Sequence, residues 1–168
     1  MIARRVKIQF EHPTQLLAST FLRALAEDEP EIAWERLSRE GRGLLEGIYA
    51  VRANVLLHRA AGVSSGGTDD RLALVITPLR EAALRACGGP ERVLGLGVSA
   101  ARLLDRHRAY VLLLPEFGEE RIVDESEWRP AHLLAFTYES REWLVDLGLT
   151  SELSAEAGLP DPLGEIRA

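Results

Sequence analysis

Two pairs of alternating segments near the C-terminal end constrain the fold of this chain more than any other feature. The first pair covers residues 96–114 and the second covers residues 131–147. In the second pair, AHLLAFTYESREWLVDLG, two apolar runs flank the polar turn Glu139-Ser140-Arg141. Short alternating runs joined by short polar connections are typical of β-hairpins. The pattern predicts four strands, at about Gly97–Leu104, Ala109–Leu114, Ala131–Tyr138 and Glu142–Leu147.

The residues before the hairpins show helical periodicity instead of alternation. Leu17, Phe21, Ala24 and Leu25 recur at helical spacing, which predicts a first helix over Pro13–Glu27. Similar stripes and start signals predict further helices: one after Pro30, one from Leu44 to about Arg59, and one on both sides of Pro78 that stops at Gly88-Gly89-Pro90. Helices followed by antiparallel strands are an α+β pattern. We therefore expect N-terminal helices packed on a curved antiparallel sheet of about four strands.

The length of the chain and its glycine and proline positions predict a single domain with loose ends. A chain of 168 residues is long enough for one hydrophobic core. Residues 1–12 are predicted to be an N-terminal arm or short strand, residues 13–148 one domain, and residues 149–168 a flexible tail. The glycine- and serine-rich residues 62–68 are predicted to form a linker, and residues 115–130 an acidic link between the hairpins.

The charge balance argues against a nucleic-acid partner. The chain has 20 basic and 26 acidic side chains, and its net charge of -6 repels a phosphate backbone. Its single cysteine, Cys87, cannot form an internal disulfide and fits a reducing compartment. Neither a signal peptide nor an apolar run of about 18 residues occurs. We expect a cytoplasmic protein without a membrane partner, and the single lysine, Lys7, indicates the arginine-rich coding of a GC-rich bacterium.

Sequence motifs for metal ions and cofactors are absent. The histidines have no metal-binding spacing, and neither H-E-x-x-H nor C-x-x-C occurs. The glycines of residues 62–68 lack the Gly-Lys-Ser/Thr ending of a phosphate-binding loop, and no G-x-G-x-x-G occurs. The acidic residues of 115–130 lack the calcium-binding pattern. The sequence therefore predicts no metal ion and no cofactor.

Three stretches resemble the NTF2-like (SnoaL-like, cystatin-like α+β) superfamily. They are FLRALAEDEPEIAWERL, similar to the opening helices of that family, DRHRAYVLLL, similar to its first long hairpin, and AHLLAFTYESREWLVDLG. The resemblance implies a cone-shaped interior that holds a ligand and dimerisation through the outer sheet face. It implies either an enzyme, such as an isomerase or hydrolase, or a binding module, because this fold hosts both. Long segments at residues 47–68 and 115–130 depart from the usual plan.

Enzymes of this family use buried acid–base groups, and the chain offers three candidates. Asp146 lies in the apolar run WLVDLG, where it is either a catalytic group or a residue of the outer face or strand end. His132 and Tyr138 alternate with Leu134 and Phe136 and so share one strand face. If that face lines the cone, both are pocket groups. Otherwise His132 simply begins a strand, and Tyr138 packs near the turn with its hydroxyl in water.

Four aromatic residues are candidates for contact with an apolar ligand: Trp34, Tyr49, Tyr110 and Phe136. Trp34 fits a core position better than a ligand platform. No compelling acid–base pair emerges from the sequence. We therefore expect a homodimeric module that binds a small apolar ligand or a protein without catalysis, and the alternative is a small-molecule isomerase or hydrolase.

Overall fold

The structure of the chain is a computed structural model that describes residues 11–65, 69–114 and 132–161. The helices are α1 (Pro13–Ala26), α2 (Pro30–Glu35), α3 (Arg39–Ala53), α4 (Leu57–Ser65), α5 (Asp69–Cys87), α6 (Pro90–Leu94) and α7 (Leu147–Glu156). The strands are β1 (Gly97–Val98), β2 (Arg102–Leu103), β3 (Arg108–Leu114), β4 (His132–Glu139) and β5 (Glu142–Val145). Most of the predicted arm (1–10), the end of the predicted linker (66–68), the acidic link (115–130) and residues 162–168 lie outside the described residues.

The strands form one antiparallel sheet in the order β1-β3-β4-β5, and β2 also pairs with β3. Gly97 pairs with Leu114 and Arg102 pairs with Tyr110, so β1 and β2 are two short pieces of one interrupted strand beside β3. The sheet curls into a half-barrel, and the helices pack on it. The predicted α+β class, with helices packed on a curved antiparallel sheet, is confirmed.

The predicted turn between β4 and β5 is confirmed. Glu139 pairs with Glu142, and the two loop residues Ser140 and Arg141 have φ angles of 52° and 69°. Two positive φ angles in a two-residue loop match the twist of a hairpin, although Asn and Gly are the usual residues there. Glu139 Oε1 also accepts a hydrogen bond from the backbone N–H of Arg39 at 2.7 Å, which fixes the hairpin against the start of α3.

At β4, both faces of the sheet are buried. On the inner face, Val111, Leu113, Leu134 and Phe136 join the main core with the helices. On the outer face, a second cluster of buried residues with half-buried neighbours consists of Leu133, Ala135, Leu149, Tyr110, Leu112, Leu153 and Leu159. Because α7 covers the outer face, β4 is apolar on both sides, which explains its nearly continuous apolar run.

Helix α7 corrects two expectations. The last strand ends at Val145 instead of Leu147, and residues 149–156 lie in a helix instead of a flexible tail. Asp146 caps α7, because its Oδ1 accepts a hydrogen bond from the backbone N–H of Leu149 at 2.9 Å. Thr150 Oγ1 accepts a hydrogen bond from the backbone N–H of Ala135 at 3.0 Å, so α7 continues the hydrogen bonding of β4 where β5 ends. The helix depends on this cap and this docking, which apolar periodicity does not reveal.

The predicted helix from Leu44 to Arg59 is also wrong. Asn54 has a φ angle of 51° and ends α3 in the left-handed conformation, after which the chain starts α4 in a new direction. Helix α4 includes residues 62–65 of the predicted linker, and α6 lies between α5 and β1. The prediction of helix on both sides of Pro78 is confirmed, since α5 runs through it.

Candidate functional site

An open cleft of about 670 Å³ lies where the N-termini of α3 and α7 meet the start of β3. Its charged lining residues are Glu40, Arg108, Asp146, Glu152 and Asp161. The lining is therefore dominated by carboxylates, and it lies outside the helix-covered interior in which the resemblance implies a ligand. Among the residues that the structure describes, no group of three or more His, Cys, Asp or Glu side chains is arranged to hold a metal ion.

Asp146 lines this cleft, but its hydrogen bonds are structural. Its carboxylate caps α7, its backbone N–H donates to Ala135 O at 2.9 Å, and its carbonyl accepts from the Thr150 backbone and hydroxyl. Glu40 stands beside it, since a methyl group on Gly148 would lie 3.2 Å from Glu40 Oε1. Both carboxylates thus sit at the N-terminus of α7, where negative charge is favourable.

Arg108 is engaged by an acidic partner at the rim of the cleft. Its Nε donates to Asp105 Oδ2 at 2.8 Å. A hydrogen bond from the backbone N–H of His107 and then the Arg108 guanidinium lower the pKa of Asp105. The hydrogen bond to Asp105 in turn raises the pKa of Arg108. This exposed pair stabilises the turn before β3.

The three predicted catalytic residues do not meet. His132 and Tyr138 stand near opposite ends of β4, six residues and therefore roughly 20 Å apart. Asp146 lies between them, because its backbone pairs with Ala135. His132 is buried with Nδ1 3.4 Å from Pro160 O, whereas Tyr138 is 38% exposed. The geometry therefore assembles no acid–base pair from these residues.

Tyr138 belongs to a row of four aromatic rings at the turn end of the sheet. It stacks on His107 with the ring centroids 6.3 Å apart, and its centroid lies 5.3 Å from that of Trp143. Trp143 meets His12 edge-on at 5.3 Å. The nearest partners of Tyr138 are thus other rings, which fits the structural interpretation of this residue.

The four predicted ligand-binding aromatics are also dispersed. Trp34 is half-buried, and the Arg42 guanidinium lies 5.7 Å from its ring centroid. Tyr49 is half-buried against the main core from α3. Phe136 lies on the inner face of the sheet and Tyr110 on the outer face under α7. These side chains therefore do not line a common pocket.

The interior between the helices and the sheet is filled by apolar side chains. The largest fully buried ones are Phe21, Phe136, Leu25, Leu37, Leu45, Ile76, Leu79, Leu113, Leu147, Val75, Val93 and Val111. In the described part of the chain, no Asp, Glu, Lys or Arg is buried, and His132 is the buried ionisable residue. Close packing of this kind leaves little room for a ligand.

One surface feature was missed by the sequence prediction. At the corner between α3 and α4 (residues 51–59), Val51 is 82% exposed, Leu56 64% and Leu57 59%. The sequence predicted one continuous helix across this corner, whereas α3 ends at Ala53 and Val51 stands exposed in its last turn. Asparagine is one of the few residues that readily adopts the left-handed conformation, so Asn54 is the signal that could have revealed this corner.

Next to this corner, the sequence matches a catalytic motif whose structural setting is absent here. Gly62-Val63-Ser64-Ser65-Gly66 matches the G-x-S-x-G pattern of hydrolases, in which the serine stands on a sharp turn between a strand and a helix. Here residues 57–65 form helix α4, which is preceded by α3 and not by a strand. The structural context of a nucleophile elbow is therefore missing.

Comparisons with known proteins identify no relative of this chain. No family model matches the chain, and neither a curated protein nor a solved structure matches it at a significant level. The resemblance to the NTF2-like superfamily thus stays a prediction from the three sequence stretches. Within the described ranges, no helix is both long and apolar enough to cross a membrane.

Proposed function

We propose that this chain is a binding module without catalytic activity and that its ligand is a protein, contacted at the α3–α4 corner. The observation that carries the proposal is the exposure of Val51, Leu56 and Leu57 within seven consecutive positions. Large apolar side chains that gather on the surface are typical of protein–protein contacts. The buried contacts of these helices are made by other residues, such as Leu45 and Ala50 of α3 and Ala60 of α4.

Two further observations favour this proposal over its alternatives. The filled interior disfavours a small apolar ligand between helices and sheet, as in a cone-shaped pocket. The separation of His132, Asp146 and Tyr138 disfavours an isomerase or hydrolase that uses these groups. A homodimer through the outer sheet face stays a prediction, and α7 already covers that face over Leu133 and Ala135.

Site-specific photo-crosslinking tests the proposal. A photoreactive residue is placed at Leu57 in the full chain, and a matched chain carries it at Leu94, a 51% exposed residue of α6. We expect a discrete protein adduct from position 57 in the source cells and none from position 94. Equal labelling at both positions, or no adduct at position 57, contradicts the proposal.

The binding free energy of the corner contact can be calculated approximately from the exposed area of its leucines. Burial of a leucine that is about 60% exposed contributes about 1–2 kcal/mol. Replacement of Leu56 and Leu57 by serine is therefore expected to weaken binding of the captured partner roughly 100-fold. Leu94→Ser is the control, and it is expected to leave the affinity unchanged.

A further inference from the structure

The α3–α4 corner carries positive charge in an otherwise acidic chain. No Asp or Glu occurs between Glu46 and Asp69, although the chain has 26 acidic residues and a net charge of -6. Arg52, His58 and Arg59 lie within this stretch and are exposed. Along the sequence, the apolar side chains of the corner are thus accompanied by two arginines and by no carboxylate.

Neither arginine of the corner is neutralised by a carboxylate in the described part of the chain, and Arg52 also lies in the last turn of α3, where a cation is favourable. Neither Arg52 nor Arg59 forms an ion pair or a side-chain hydrogen bond within the part of the chain that the structure describes. Three other arginines, Arg80, Arg85 and Arg108, pair with neighbouring carboxylates. The guanidinium groups of Arg52 and Arg59 are therefore open to a partner.

We propose that the partner presents an acidic amphipathic segment to this corner, an inference that rests on the proposed function. Apolar side chains of that segment pack on Val51, Leu56 and Leu57, and its carboxylates pair with Arg52 and Arg59. Recognition of an amphipathic helix by an apolar surface is a common mode of peptide binding. Complementary charge selects among partners, because segments of like charge are repelled, and it raises the rate of association.

The same surface chemistry also fits an anionic bilayer, but the charge of the whole chain favours a protein. Binding to anionic lipid usually needs a cluster of roughly four to eight basic residues. The corner offers two arginines, and the net charge of -6 repels an extended negative plane. A protein segment carries its negative charge locally, within about 10 Å of the arginines, so the rest of the chain opposes it much less.

The test uses the full chain labelled with ¹⁵N and two synthetic helical peptides. Both peptides carry leucines on one face, and the opposite face is glutamate in one and glutamine in the other. The acidic peptide is expected to shift the amide signals of residues 51–59 and to bind about ten-fold more tightly than the glutamine peptide at low salt. Arg52→Gln with Arg59→Gln is expected to remove that preference.

A matched variant controls for net charge. Arg23→Gln with Arg102→Gln removes two exposed arginines elsewhere, so it carries the same net charge as the corner variant. It is expected to keep the preference for the acidic peptide, and high salt is expected to reduce this preference in both the original chain and this control.

Three outcomes would overturn the inference, and they differ in whether they also contradict the proposed function. Equal affinity for both peptides at the corner contradicts an acidic partner and leaves the proposed function intact. Binding to phosphatidylcholine–phosphatidylserine vesicles that depends on Arg52 and Arg59, without a response to the peptides, identifies a membrane as the occupant. No response of residues 51–59 to either peptide or to vesicles contradicts both the inference and the proposed function.

Discussion

Replacement of Thr150 by valine isolates the hydrogen bond that attaches α7 to the sheet. Thr150 and Ala135 are both fully buried. The Thr150 hydroxyl accepts from the Ala135 backbone N–H at 3.0 Å and donates to Asp146 O at 2.6 Å. Valine has nearly the same shape and no hydroxyl, so it leaves the Ala135 N–H buried without a partner. An unsatisfied buried donor costs about 1–3 kcal/mol.

The free-energy cost of losing the hydroxyl is smaller at the Asp146 carbonyl than at the Ala135 N–H. Asp146 O still accepts from the Thr150 backbone N–H at 3.0 Å, so this carbonyl keeps a partner in the variant. Valine also gains apolar burial, which offsets part of the cost. We therefore expect Thr150→Val to lower the free energy of unfolding by about 2 kcal/mol.

Urea unfolding followed by tryptophan fluorescence measures this change, with Thr150→Ser as the matched control. Serine keeps the hydroxyl and loses one methyl group, which costs about 1 kcal/mol. Amide exchange at Ala135 should accelerate in the valine variant and stay slow in the serine variant. A valine variant as stable as the original chain, or more stable than the serine variant, would refute the role assigned to this hydroxyl.

Three further predictions concern the core, the hairpin turn and the cysteine. Phe136→Ala should cost about 3–5 kcal/mol of unfolding free energy if the interior is packed, and a cost below about 1 kcal/mol in urea unfolding would indicate a roomy pocket instead. Arg141→Gly should raise the unfolding free energy by about 1 kcal/mol in the same assay, because glycine adopts a φ angle of 69° without strain, and no gain would argue against the turn geometry. Burial raises the pKa of the Cys87 thiol, so the folded chain should be alkylated more slowly than the urea-unfolded chain at the same alkaline pH, and equal rates would contradict burial. Because the pKa of this thiol is higher in the folded than in the unfolded chain, the free energy of unfolding falls as pH rises above the ordinary pKa range of a thiol.

The sheet could be predicted because its signal is local. Alternation and a polar turn located β3, β4 and β5, and Ser140-Arg141 stood in the predicted connection. The end of β5 could not be found in this way, because Asp146 lies in an apolar run that continues the alternation. Its role as a cap depends on the backbone N–H of Leu149, and the docking of Thr150 on Ala135 joins residues that no local pattern connects.

The candidate site was less predictable than the fold. Strand alternation grouped His132 with Tyr138, yet six residues of extended chain already separate them by roughly 20 Å. The α3–α4 corner escaped prediction because the helical spacing of Leu44, Ile48 and Val51 continues to Val55, beyond the break at Asn54. A left-handed Asn54 changes the direction of the chain, and periodicity alone does not register that change.

Native mass spectrometry of the full chain, isolated gently from its source cells, tests most directly whether the ligand is a protein held at the α3–α4 corner. The account predicts a complex with a second polypeptide that disappears in the Leu56→Ser, Leu57→Ser variant and persists in Leu94→Ser. It also predicts that the released chain has its own mass without a small-molecule increment. A stoichiometric small molecule retained by the chain, with no polypeptide lost on changing the corner, would contradict the account.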